Sequence, residues 1–168
     1  MQPVTLKTML VSLALLALAL PSGAGASPDE EAIQARAMEF AAAWNKHDAK
    51  TMAMLWAEDG DLINPFGRTA KGRGEIEQLF AEEHATITKG TTYSIQPKWI
   101  RMVKPDVAVA TWDAVISGIK TADGSAMPPL EHMVTVVVVK RDGKWWTVAA
   151  RPMIPSPPPI PTPAIEPE

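Results

Sequence analysis

The chain has no cysteine. That excludes disulfides, thiolate nucleophiles and cysteine-bound metals. Histidine occurs three times in 168 residues and tyrosine once. The histidines, His47, His84 and His132, show no His-x-His or His-x3-His spacing. The sequence therefore gives no metal site. No glycine-rich dinucleotide fingerprint occurs, and Lys71-Gly72-Arg73-Gly74 lacks P-loop spacing, so no cofactor is expected. No long basic run occurs, and the formal net charge is −3. Nucleic acid is not an expected partner. The longest apolar run, Met9 to Leu20, is shorter than the ~20 residues a bilayer-spanning helix needs.

That run has another reading. Lys7 precedes it, and Pro21 to Ala26 follows with Ala24 and Ala26 in A-x-A spacing. This is the pattern of a secretory signal peptide over residues 1–26, cut after Ala26. The expectation is a periplasmic or secreted protein with no membrane anchor after cleavage. Losing Lys7 leaves 15 basic residues against 19 acidic ones, a net charge of −4. The opposite end also changes character. Half of the sixteen prolines fall in residues 152–168, a composition that reads as a disordered tail which cannot pack a core. One domain, residues 27–151, is left between them.

The first half of that domain has helical periodicity. Ser27-Pro28-Asp29-Glu30 has the form of a capping box with proline at the first helical position. Ile33, Ala37, Phe40, Ala41 and Trp44 then form a 3.6-residue stripe. Asp48 is placed to cap a second helix with Met52, Leu55 and Trp56 inward. Asp61 to Asn64 reads as a short strand stopped by Pro65, and Phe66 to Arg68 as a loop. A third helix follows Gly74, with Ile76, Leu79, Phe80 and Ile87 inward. After Gly90 the period becomes two. Strands are expected over 91–102, 107–119, 130–140 and 144–151, with Asp142-Gly143 as a hairpin turn. The valine-rich third strand is expected to be central and covered on both faces. Helices followed by an antiparallel meander give an α+β fold, with N-terminal helices packed on a curved sheet.

The segment "AAAWNKHDAKTMAMLWAEDGDLINPFGRTAKGRGEIEQLF" resembles the nuclear transport factor 2-like superfamily. The branch is that of SnoaL-like polyketide cyclases, ketosteroid isomerases and small secreted proteins of the SgcJ/EcaC type. "VVVVKRDGKWWTVAA" resembles that family's last hairpin, so the likeness covers about residues 29–150. It implies a cone-shaped half-barrel with an apolar pocket between sheet and first helix. It also implies homodimers formed through the sheet. The pocket would be lined by Phe40, Trp44, Leu62, Asn64, Tyr93, Trp112 and His132.

The chemistry departs from the relatives. Asn64 stands where ketosteroid isomerases carry their catalytic aspartate, and an amide cannot serve as a general base. Phe40 falls near their tyrosine and His132 near their protonated aspartate. Two readings of Asn64 stand side by side: a hydrogen-bonding group for a ligand, or a strand-ending residue that satisfies local backbone. His132 is either a proton shuttle or a packed core histidine. Glu58, Asp59 and Asp61 read as solvated carboxylates. No catalytic set emerges, Asn64 and His132 being its only candidates. The leading expectation is an exported protein that binds a small apolar molecule. The alternatives are an isomerase, cyclase or dehydratase with a non-standard catalytic set, and a homodimeric assembly module without ligand.

Overall fold

The computed structural model describes residues 25–156. The signal-peptide reading lies almost wholly outside those residues, as does the tail from residue 157. Helix α1 spans Pro28–Trp44 and α2 spans Ala49–Ala53. The Ser27 capping box closes α1: the Glu30 N–H donates to Ser27 Oγ, and the Ser27 N–H donates to Glu30 Oε2 at 2.7 Å. At α2 the Asp48 carboxylate accepts from the Thr51 N–H at 2.9 Å. Each cap satisfies a backbone donor that the first helical turn leaves open.

Six strands follow: β1 Trp56–Ile63, β2 Thr69–Lys71, β3 Thr92–Lys104, β4 Val107–Ser117, β5 Leu130–Arg141 and β6 Lys144–Met153. Helix α3, Gly72–Ala85, lies between β2 and β3. The strands form one curved, open sheet in the order β2-β1-β6-β5-β4-β3. Every neighbouring pair is antiparallel except β1 and β6, which run parallel. One face carries the core. Its cross-strand rows include Ile95, Ala114 and His132, then Pro97, Trp112 and Val134. The three helices close over this face, and α1 lays Ile33, Ala41 and Trp44 against it.

Several expectations need correction. The second helix stops at Ala53, and Trp56 opens β1 instead of ending a helix. Glu58 and Asp59 are thus exposed strand residues. A bulge hid this strand: six residues of β1, Trp56 to Asp61, span only three of β6, Thr147 to Ala149, which breaks the period of two. Gly60 sits inside it, where an added Cβ would lie 2.9 Å from the Thr147 carbonyl oxygen. The loop after Phe66 contains the short strand β2. Ile87 lies beyond α3 and is 52% exposed. Strand β5 is central, but its outer face is not covered: Val137 and Val139 are half-buried. Strand β6 continues past Arg151 to Met153, so the last strand takes in Pro152. That proline lies beyond Ala150, the last residue of β6 paired with β1, where one side of the strand has no ladder to complete.

Candidate functional site

A cavity of about 600 Å³ lies between the core face of the sheet and the helices. All seven residues singled out above line it: Phe40, Trp44, Leu62, Asn64, Tyr93, Trp112 and His132. They come from α1, β1, β3, β4 and β5, and the sheet's curvature brings them together. The wall is mostly aromatic and aliphatic. Phe40 packs edge-on against Tyr93, with centroids 5.5 Å apart, and lies 5.7 Å from Phe80. Trp44 stacks on Tyr93 at 4.9 Å. Volume, burial and apolar lining are those of small-molecule sites in general.

The polar groups are few and lie in two places. The first centres on Asn64, at the end of β1. Its Oδ1 accepts from the Phe66 N–H at 3.0 Å and the Arg68 N–H at 2.9 Å. Its Nδ2 donates to Glu83 Oε1 at 2.8 Å. Asn64 thus satisfies the turn that follows β1, as one of its two readings holds, and it also lines the cavity. Glu83 comes from α3, lines the cavity and is 8% exposed. Burial raises its carboxyl above the ordinary carboxylate range, an effect that the Asn64 hydrogen bond and the charge of Arg68 partly offset. Arg68 itself is ion-paired with Glu82 at 2.6 Å on the outside of this turn.

The second place is the Tyr93–His132 pair, whose rings lie 5.7 Å apart. Burial pushes the Tyr93 phenol upward, so the hydroxyl keeps its proton. Burial also lowers His132 below the usual histidine value, opposed by a contact to the Leu130 carbonyl. At 3.5 Å from Nδ1, that contact is too long to fix the tautomer. Tyr93 Oη, His132 Nε2 and Glu83 Oε2 take no hydrogen bond from the described residues, yet none is sealed from water. All three side chains line the cavity and are more than nine-tenths buried.

Sequence reasoning missed Glu83. The pair Glu82-Glu83 reads as solvated helix surface, yet Glu83 follows Leu79 by four residues and Phe80 by three. That places it on the inward face of α3. The discarded carboxylates behave as solvated groups: Asp59 pairs with Arg141 at 2.8 Å and Asp61 with Arg151. Trp99, on β3, is 52% exposed. No cluster of three potential metal ligands exists among the described residues. No helix among them is long and apolar enough to cross a membrane.

Comparison with known proteins bears on the fold. An uncharacterised protein with a cystatin-like fold from Caulobacter vibrioides is similar, at 27% identity and a TM-score of 0.67, over 76% of this chain and 89% of that one. A ketosteroid isomerase-like protein from Erwinia carotovora atroseptica is similar at 19% identity and a TM-score of 0.62, over 76% and 96% of the two chains. A nuclear transport factor 2-like protein from Novosphingobium aromaticivorans gives 21% and 0.64, over 75% and 81%. No curated protein matches the sequence. The family model of the SnoaL-like domain matches residues 37–148, a span that runs from α1 through β6 and takes in every strand of the sheet. With helices over an open six-stranded cup and the cavity between them, the chain belongs to the SnoaL-like family of the nuclear transport factor 2-like superfamily.

Proposed function

We propose that this protein is exported and binds a small, largely apolar molecule in the cavity. One observation carries the reading. A space of about 600 Å³ walled by aromatic and aliphatic side chains takes in a few buried polar side chains, Asn64, Glu83, Tyr93 and His132. A protein that only had to fold would fill that volume, since cores are close-packed and cavities destabilise. The sequence of residues 1–26 supports export. The half-buried valines of the outer sheet face, with Trp99 beside them, support a homodimer.

The test is thermal unfolding of the mature chain against a panel of apolar alcohols, ketones, amines and sterol-like compounds. A compound at a hundred times its Kd should stabilise the protein by about 2.7 kcal/mol. An upward shift supports the reading, and a flat panel on a folded protein overturns it. A second reading, a proton-transfer enzyme, is favoured by the opposite effect of burial on Glu83 and His132, which moves both toward neutrality. Consumption of a bound panel member by the wild type but not by Glu83→Gln, with binding retained, would select it.

A further inference from the structure

The cavity contains one group that an apolar, uncharged ligand leaves without a complement. Among the described residues Glu83 is the only acidic one on its wall. It receives one hydrogen bond, from Asn64, and its second oxygen takes none from the described residues. The two guanidinium groups nearest this region are engaged elsewhere. Arg68 is held by Glu82 on the exposed side of the turn. Arg36 lines the cavity from α1 with its Nε buried and unpaired, but its Nη1 pairs with Glu39 at 2.6 Å and its guanidinium lies 5.3 Å from the centre of the Trp146 ring. The other polar side chains on the wall, Asn64, Thr88, Tyr93, His132 and Thr147, carry no fixed charge. Among the described residues the wall thus holds one carboxyl, Glu83, and one guanidinium, Arg36, whose charge Glu39 already meets.

The walls around it suit a cation as well. Phe40, Trp44, Trp56, Phe80, Tyr93 and Trp112 all line the space. Phe80 is one turn before Glu83 on α3, so ring and carboxyl share a helix face. Aromatic faces attract ammonium groups while excluding water, and a desolvated carboxylate needs an opposite charge or a proton. A wall of rings around a single carboxylate meets both conditions for an organic cation. An anion would meet Glu83 itself, and a neutral molecule would leave the carboxyl to be satisfied by its own proton.

We propose that the cavity selects apolar molecules bearing a protonated amine, with Glu83, oriented by Asn64, as counter-ion and the aromatic wall receiving the ammonium and its hydrocarbon. The proposal rests on the ligand-binding reading above and narrows it to one chemical class. The alkyl or aryl part of such a ligand fills the apolar volume, while its N–H groups meet Glu83 Oε2 and reach toward Tyr93 Oη and His132 Nε2.

The test compares 4-phenylbutylamine with 4-phenylbutanol, equal in shape and differing in charge, by titration calorimetry at pH 8 on the mature full-length chain. The expected result is at least tenfold tighter binding of the amine, with the difference removed in Glu83→Gln. Glu83→Asp, a shorter carboxylate, should retain part of the preference, which separates charge from shape. Alcohol binding equal to or tighter than amine binding in the wild type would overturn the amine proposal while leaving a working cavity. Failure of both compounds to bind would overturn it together with the ligand-binding reading. An amine preference that survives Glu83→Gln would remove Glu83 from the role.

Discussion

A carboxyl group set in an apolar wall prefers to keep its proton, and Glu83 is such a group. Its folded-state pKa is raised above the ordinary 4.5. Folding therefore favours proton uptake, and the associated stability is complete below pH 4.5 and lost as pH rises through the raised value. Glu83→Gln keeps an oxygen to accept from Asn64 and removes the charge. The variant should match the wild type near pH 4 and exceed it at pH 8 by about 1 kcal/mol, or roughly 3 °C in Tm for a chain of this length. Melting curves at the two pH values check this, and an equal Tm at pH 8 would sink it. A residue that costs stability at neutral pH and still occupies a cavity wall points to selection for binding. Asn64 is less useful as a probe. Its amide holds both the turn after β1 and Glu83, so removing it would disturb fold and site together.

At the scale of elements, β1 decides how the cavity is built. Its bulge lets a strand of eight residues bow out and rejoin β6 at Asp61 and Leu62, with Leu62 and Asn64 on the cavity wall and β2 on its other edge. Gly60 permits the close approach: a Cβ there would sit 2.9 Å from both the Thr147 carbonyl oxygen and Trp56 Cδ1. The first of these is backbone and cannot rotate away. Gly60→Ala should therefore destabilise the protein by about 1–3 kcal/mol, read as a fall in the urea midpoint, and an unchanged midpoint would show that the bulge relaxes freely. The same bulge explains what the sequence concealed. Helix α1, both caps and the β3–β6 meander were legible because periodicity and turn chemistry agree over long stretches. In β1 three residues interrupt the alternation, so Trp56 to Gly60 looked like the end of a helix. Asn64 could be placed on the cavity through family resemblance. Glu83 was readable in principle from its spacing to Leu79 and Phe80, but two adjacent glutamates look like solvent-facing surface. Its burial depends on the approach of β1, a contact nineteen residues away in sequence that local pattern does not encode.

The two faces of the sheet differ in what they carry. The inner face of the sheet encloses the cavity. The outer face carries Val109, Thr111, Thr135, Val137 and Val139, with Val109 directly opposite Val137 and Thr111 opposite Thr135. These side chains are apolar or paired with each other, as the Thr111 and Thr135 hydroxyls are at 3.2 Å. Apart from Thr111, which is buried, these residues are half-buried in one copy of the chain, which suits a second copy lying face to face. In a two-fold dimer each substitution enters the interface twice. Val109→Lys with Val137→Lys would thus place four ammonium groups against each other and remove four valine contacts, each worth about 1.5 kcal/mol or more when fully buried. The wild type should sediment as a dimer and this variant as a monomer at the same concentration. Because both valines point away from the cavity, the variant should bind the same compounds with unchanged affinity. A wild type that sediments as a monomer at 100 µM would overturn the dimer, and loss of ligand binding in a folded monomeric variant would show that the two faces are coupled.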